Sequence, residues 1–169
     1  MPTLRNLLEE SHKDLHQWVL MHQEALLLRH ENNSRVALMG LSEYLHAHVN
    51  FENSHILSRD DLDECRWPVR VYLKEHDKLL SLLDKNHQRF EHFCHLKGRA
   101  QRLYLIEYLD SLSSFYHVME HHEQREEQDL FDRLPVDEGI AKVWQETESA
   151  LIEKWRDEKE RLKVWLAEN

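Results

Sequence analysis

From Thr3 to Glu31 the chain contains neither glycine nor proline, and Leu4, Leu8, Leu15, Val19 and Leu26 recur at helical spacing. The pattern continues: only three glycines and three prolines occur in 169 residues. An all-β fold needs turn residues more often than that, so long uninterrupted helices are expected. Asn32-Asn33-Ser34 reads as a polar break, with Asn33 or Ser34 capping a second helix from about Arg35 to Leu57. Gly40 inside that helix costs roughly 1 kcal/mol against alanine unless packing needs a small residue there. Ser58 to Trp67 is acidic and loop-like. Pro68 suits the first turn of a third helix that carries Tyr72, Leu79, Leu83, Phe90 and Phe93 and ends near Gly98. A fourth helix runs from about Ala100 to Arg133, closed by Pro135. Asp137 starts a fifth, with Ile140, Trp144, Leu151, Trp155, Leu162 and Trp165 as its stripe. Short links between long helices imply an all-α, up-down-up-down four-helix bundle over residues 1–134, followed by an additional C-terminal helix in 135–169. That helix is expected to pack on the bundle or to form a homodimer surface.

Composition removes several function classes. The net charge is −10, which lacks the electrostatic footprint of a nucleic-acid binder or of a protein that adheres to anionic membranes. No apolar run approaches the ~20 residues of a membrane span, and the first ten residues hold no signal-peptide core. Two cysteines do not make a disulfide framework. These features lead to the expectation of a cytoplasmic protein.

The fourteen histidines all fall between His12 and His122, and residues 123–169 have none. An enrichment that stops so sharply points to chemistry. Two helices share a string: His48-x3-Glu52 followed by Ile56-Leu57, and His122-x3-Glu126 followed by Leu130-Phe131. A step of four residues is about 40° of helix rotation and ~6 Å of rise, so imidazole and carboxylate share a face. Roughly two bare pairs of this kind are expected by chance. The chain has a third, His87-x3-Glu91, but without the apolar pair behind it.

The first and third helices also match: Leu8-x3-His12-x2-Leu15-x3-Val19 aligns with Tyr72-x3-His76-x2-Leu79-x3-Leu83. In two antiparallel hairpins, residues equidistant from the turns lie level, which brings His12, His48, Glu52, His76, His122 and Glu126 to one depth. Inward His and Glu from four helices are the recipe for a dinuclear carboxylate-bridged metal site. A single inward histidine is more often a hydrogen-bonded core residue. Six such groups are different, because the core would otherwise hold two glutamates without counter-charge. Imidazole with carboxylate suits iron, and also zinc, nickel or copper. His16 competes with His12 and can replace or join it, while His22 can border an access channel or add a ligand. His30, His46, His55, His92 and His95 belong to solvated or boundary faces, and the His117–His121 pair is out of phase with the Glu126 string.

With these residues in view, residues 4–134 resemble the hemerythrin-like (HHE cation-binding) domain family. The most specific piece is His122-Glu-Gln-Arg-Glu126-Glu127-Gln-Asp-Leu130-Phe131, which is similar to the family string His-x3-Glu-Glu-x2-Leu-Phe. His48-x3-Glu52 resembles its counterpart on the second helix, and His76 in Lys-Glu-His-Asp-Lys-Leu the third-helix ligand. His12 takes the first-helix position by pattern. The resemblance implies a four-helix bundle holding two non-haem iron ions, oxo- or hydroxo-bridged, with Glu52 and Glu126 spanning both and zinc or manganese as substitutes. The oxygen-carrying members place a second histidine one turn further along the third helix, where this chain has Leu80. That departure turns the expectation from simple oxygen carriage toward members linked to iron sensing, nitric oxide or oxidative stress.

The expected function is therefore a metal- and gas-binding protein whose partner is oxygen or nitric oxide, or one that handles iron and peroxide in a stress response. A dinuclear-metal oxidase or peroxidase and a metal-free interaction module are the alternatives. The chain carries no phosphate loop, nucleophile elbow or dinucleotide fingerprint.

Overall fold

A computed structural model describes residues 2–62, 65–134 and 137–169. Five α-helices and a short 3-10 turn carry the chain: α1 (Leu4–Leu27), α2 (Glu31–His55), α3 (Val69–His95), α4 (Gly98–Gln128), the 3-10 turn Leu130–Arg133, and α5 (Glu138–Glu168). No strand occurs among the described residues, so the fold is all-α. Helix α1 neighbours α2, α2 neighbours α3, α3 neighbours α4, and α4 returns to α1. The four close around one core. Helix α5 lies across α1 and α2.

The apolar stripes explain this closure. Leu8, Leu15, Val19 and Leu26 of α1 and Tyr72, Leu79, Leu83, Phe90 and Phe93 of α3 are all buried. Each such side chain removed from water contributes about 1.5–3 kcal/mol. Gly40 has its packing reason: a Cβ there would stand 2.6 Å from the ring of buried Trp18. Helix α5 buries Trp144, Trp155 and Leu162. It is tied down by Tyr44 Oη donating to Glu148 at 2.6 Å, and by Lys159 on Asp14 at 2.8 Å.

Several boundaries differ from the sequence expectation. The first break comes earlier: α1 stops at Leu27, and Asn33 and Ser34 are buried inside α2. The stop is a Schellman turn in which His30 N–H donates to Ala25 O and Arg29 N–H to Leu26 O. Arg29 occupies the left-handed region at φ 53. No glycine marks this turn, and therefore the polar run three residues later looked like the break. His30 rather than Asn33 caps α2, its ring accepting from Asn33 N–H. Gly98, expected to end α3, is the first residue of α4, with φ 59. Helix α4 stops at Gln128 because Asp129 leaves helical geometry. Its carboxylate accepts from Arg66 N–H at 3.0 Å, Trp67 N–H at 3.3 Å and Tyr72 Oη at 3.0 Å, which pins the α2–α3 connection to the end of α4. The chain's Pro135, expected to close the fourth helix, lies outside the described residues. Asp137 does cap α5, accepting from Gly139 N–H and Ile140 N–H. Among the described residues no helix is long and apolar enough to cross a membrane.

Candidate metal centre

The structure brings His12, His48, Glu52, His76, His122 and Glu126 to one place inside the four-helix core. Each is at most 3% exposed, and both glutamates are fully buried. They form two groups. His12, His48, Glu52 and Glu126 offer one donor atom each within 4.8 Å of one another, and Glu52, His76, His122 and Glu126 do the same. Both carboxylates belong to both groups.

The interatomic distances follow this division. His48 Nε2 lies 3.3 Å from Glu52 Oε1, and His76 Nε2 lies 3.2 Å from Glu52 Oε2. His12 Nε2 lies 3.4 Å from Glu126 Oε2, and His122 Nε2 lies 3.1 Å from Glu126 Oε1. Each carboxylate thus turns one oxygen toward each group. The Nε2 atoms of His76 and His122 face each other at 2.9 Å. Donors bound at about 2.1 Å from a common ion stand about 3.0 Å apart at right angles and about 3.4 Å apart in a tetrahedron. The spacing fits ligands of shared cations.

Polar bookkeeping points the same way. His12 Nε2 and all four carboxylate oxygens of Glu52 and Glu126 are buried with no hydrogen-bond partner. Native interiors rarely leave such groups unpaired, and an ion is among the few remedies. The charges agree. Burial pushes the Glu126 carboxyl upward, yet His122, His12 and His76 around it outweigh this and hold it well below the ordinary carboxylate range. Burial and Glu126 push the Glu52 carboxyl up, while His48 and His76 bring it below that range. Burial lowers the His12 and His122 imidazoles, but the glutamates beside them drive both upward overall. The centre therefore calls for positive charge, and two divalent cations would supply it while engaging the five unpaired atoms.

The outer nitrogens of the four imidazoles are committed elsewhere. His48 Nδ1 meets Ser11 Oγ at 2.8 Å, His76 Nδ1 meets Asn53 Oδ1 at 2.7 Å, His122 Nδ1 meets Glu75 Oε2 at 3.1 Å, and His12 Nδ1 meets Glu127 Oε1 at 2.9 Å. An acceptor at Nδ1 holds the proton there, leaving the Nε2 lone pair to point inward; this is how metal-binding histidines are oriented and made more basic. Each of these four partners sits next in sequence to one of the six inner residues, yet serves an imidazole of another helix. Ser11 reaches from α1 to α2, Asn53 from α2 to α3, Glu75 from α3 to α4, and Glu127 from α4 back to α1. Aromatic rings complete the walls: Phe131 stacks on His12 at 5.5 Å and Trp144 of α5 meets His48 edge-on at 5.6 Å.

The remaining histidines stand apart. His16 bonds to Glu123 through Nε2 and to Tyr116 Oη through Nδ1, and belongs to neither donor group. His22 is fully buried between Ser34 O at 2.8 Å and Tyr108 Oη at 2.9 Å, where it serves packing and not a channel wall. His30, His46, His92, His95, His117 and His121 are exposed, and His55 and His87 are half-buried. The outer acceptors Ser11, Asn53, Glu75 and Glu127 were not singled out by spacing, because they have no periodicity of their own. Their adjacency to the inner residues was the available signal.

Compared with known proteins, the chain matches no family model, no curated protein and no solved structure.

Proposed function

We propose that this chain is a hemerythrin-like protein that holds two non-haem iron ions and binds oxygen or nitric oxide, or handles iron and peroxide under stress. One observation carries the reading: two buried donor groups of two imidazoles and two carboxylates share both carboxylates. In this reading Glu52 and Glu126 span the two ions, His12 and His48 complete one set, and His76 and His122 the other. Imidazole and carboxylate donors suit iron, with zinc or manganese as substitutes.

Iron bound here would supply the electrons and the affinity for a diatomic ligand. The protein's own part is to orient and to exclude. Ser11, Asn53, Glu75 and Glu127 fix the four imidazole rings. Leu8 and Leu15 flank His12 by about one turn on either side, Leu79 follows His76 and Met119 precedes His122; all four are buried. They surround the centre with apolar side chains and limit its contact with bulk water.

The test is metal analysis of aerobically purified protein, with the visible absorption spectrum recorded before and after reduction and after exposure to nitric oxide. About two irons per chain are expected, with a visible band that bleaches on reduction. A colourless protein free of transition metal ends the reading.

A further inference from the structure

Helix α5 and Trp144 cover the centre on the side of His48, and Phe131 covers the end of His12. The seam between α1 and α4 is different. A cleft of about 450 Å³ opens there, and His12 lines it together with His16, Glu120, Glu123, Gln124 and Glu127. Four glutamates and one lysine face the cleft; Glu123 and Glu127 have the His16 and His12 imidazoles as partners and Glu9 has Arg5, so the lining is rich in carboxylates that a cation can share.

Two buried groups set this cleft apart from an ordinary acidic surface. Glu123 is only 5% exposed; one of its oxygens is taken by His16, and the other, Oε1, is buried with no hydrogen-bond partner. His12 is 3% exposed, and its Nε2 is likewise unpartnered. His12 stands as the partition between cleft and centre. Its Nδ1 bonds to Glu127 of the cleft at 2.9 Å, and its Nε2 lies 3.4 Å from Glu126 Oε2 of the centre. Glu123 precedes Glu126 by about one helical turn, so carboxylates follow one another inward along α4.

We propose that the α1–α4 cleft is the loading port of the buried centre. Divalent cations gather between its carboxylates, pause on Glu123, and pass His12 to reach Glu126. This inference rests on the metal-binding reading above. A macromolecular partner does not fit a cleft of this size, and an apolar gas gains nothing from its charge; a metal cation gains from both.

The experiment is stopped-flow mixing of metal-free full-length protein with Co²⁺, read by its visible absorption, with final stoichiometry measured separately. The variants are Glu123→Gln, Gln124→Arg at the exposed mouth, and Gln88→Arg, an exposed position on α3 with the same change in net charge. Uptake is expected to slow by at least about tenfold in Glu123→Gln and Gln124→Arg, with the wild-type endpoint, and to be unchanged in Gln88→Arg. Wild-type uptake should also slow as salt is raised. If Glu123→Gln fails to fold by circular dichroism, Gln124→Arg decides alone. Equal rates in all proteins overturn the port while leaving the metal centre standing, and a lowered endpoint in Glu123→Gln makes it a ligand and overturns its staging role. A wild-type protein that takes up no Co²⁺ removes the centre and the port together.

Discussion

Glu75 precedes His76 in the chain, but its carboxylate lies 3.1 Å from Nδ1 of His122 on the next helix. The same cross-helix relay recurs three times around the bundle, always from a chain neighbour of an inner residue: Ser11, before His12, serves His48, while Asn53 and Glu127, after Glu52 and Glu126, serve His76 and His12. Each helix thus aims its neighbour's imidazole, and the last aims the first. Such a closed set fixes helix order and ring orientation together: sliding one helix by a turn would break two contacts, one given and one received. Asn53→Ala leaves the His76 Nδ1–H buried without an acceptor, at a cost of about 1–3 kcal/mol. The expected outcome is metal affinity about 10–100-fold weaker, checked by competition with a chelator of known affinity. Unchanged affinity would mean that Asn53 does not orient His76.

The shared carboxylates make a sharper distinction. Glu126 belongs to both donor groups, whereas His12 belongs to one. Glu126→Ala should therefore lose both ions, while His12→Ala should keep about one per chain. Metal analysis after exhaustive dialysis separates the two outcomes. Because a ligand that binds only the folded state stabilises it, the melting temperature of wild type should fall on chelation and that of Glu126→Ala should not move. Two retained ions in Glu126→Ala would contradict a spanning role for this residue.

The turn between α1 and α2 shows both what the sequence carries and what it conceals. Helices were legible because Leu8, Leu15, Val19 and Leu26 repeat at the right spacing and all end in the core. The stop at Leu27 was not, because its left-handed position holds Arg29, a residue without the turn signature of glycine or asparagine. The inner His and Glu side chains stood out for a similar reason: spacing on one helix is written in the chain. Their outer partners depend on how four helices rotate against each other, and that is set by packing of the whole core. The place of α5 was open for the same cause. Its Trp144 wall against His48 has no local signal in either helix.

Arg29 also yields a stability prediction. A residue with a Cβ at φ 53 bears a steric cost that glycine does not. Its side chain is exposed, so little packing is lost on removal. Arg29→Gly should raise stability by about 0.5–1 kcal/mol after the greater flexibility of glycine in the unfolded chain is subtracted. Urea denaturation at neutral pH measures this directly. A destabilised variant would show that the Arg29 side chain contributes more than its conformation costs.

His22 gives the pH dependence. It is fully buried between Ser34 O and Tyr108 Oη, with half-buried His87 close enough to disfavour its charged form further. Burial pushes its imidazole down to about 4, against an ordinary value of 6.5, and the bond to Ser34 offsets only part of this. The folded protein therefore keeps His22 neutral between these values, while the unfolded chain protonates it. More protons bound when unfolded means that stability rises with pH in that window. Read downward, the contribution is complete above about pH 6.5, drains away as acid is added, and is gone near pH 4, a loss of about 3 kcal/mol. His22→Gln cannot acquire this charge. It should be less stable than wild type at pH 7, because its contacts with Ser34 and Tyr108 are disturbed, and the gap should narrow as pH falls. Urea midpoints at pH 7, 6, 5 and 4, taken on both proteins in the presence of chelator, isolate the effect from metal release. Parallel pH profiles for the two proteins would show that His22 charges in the folded state as readily as in the unfolded one.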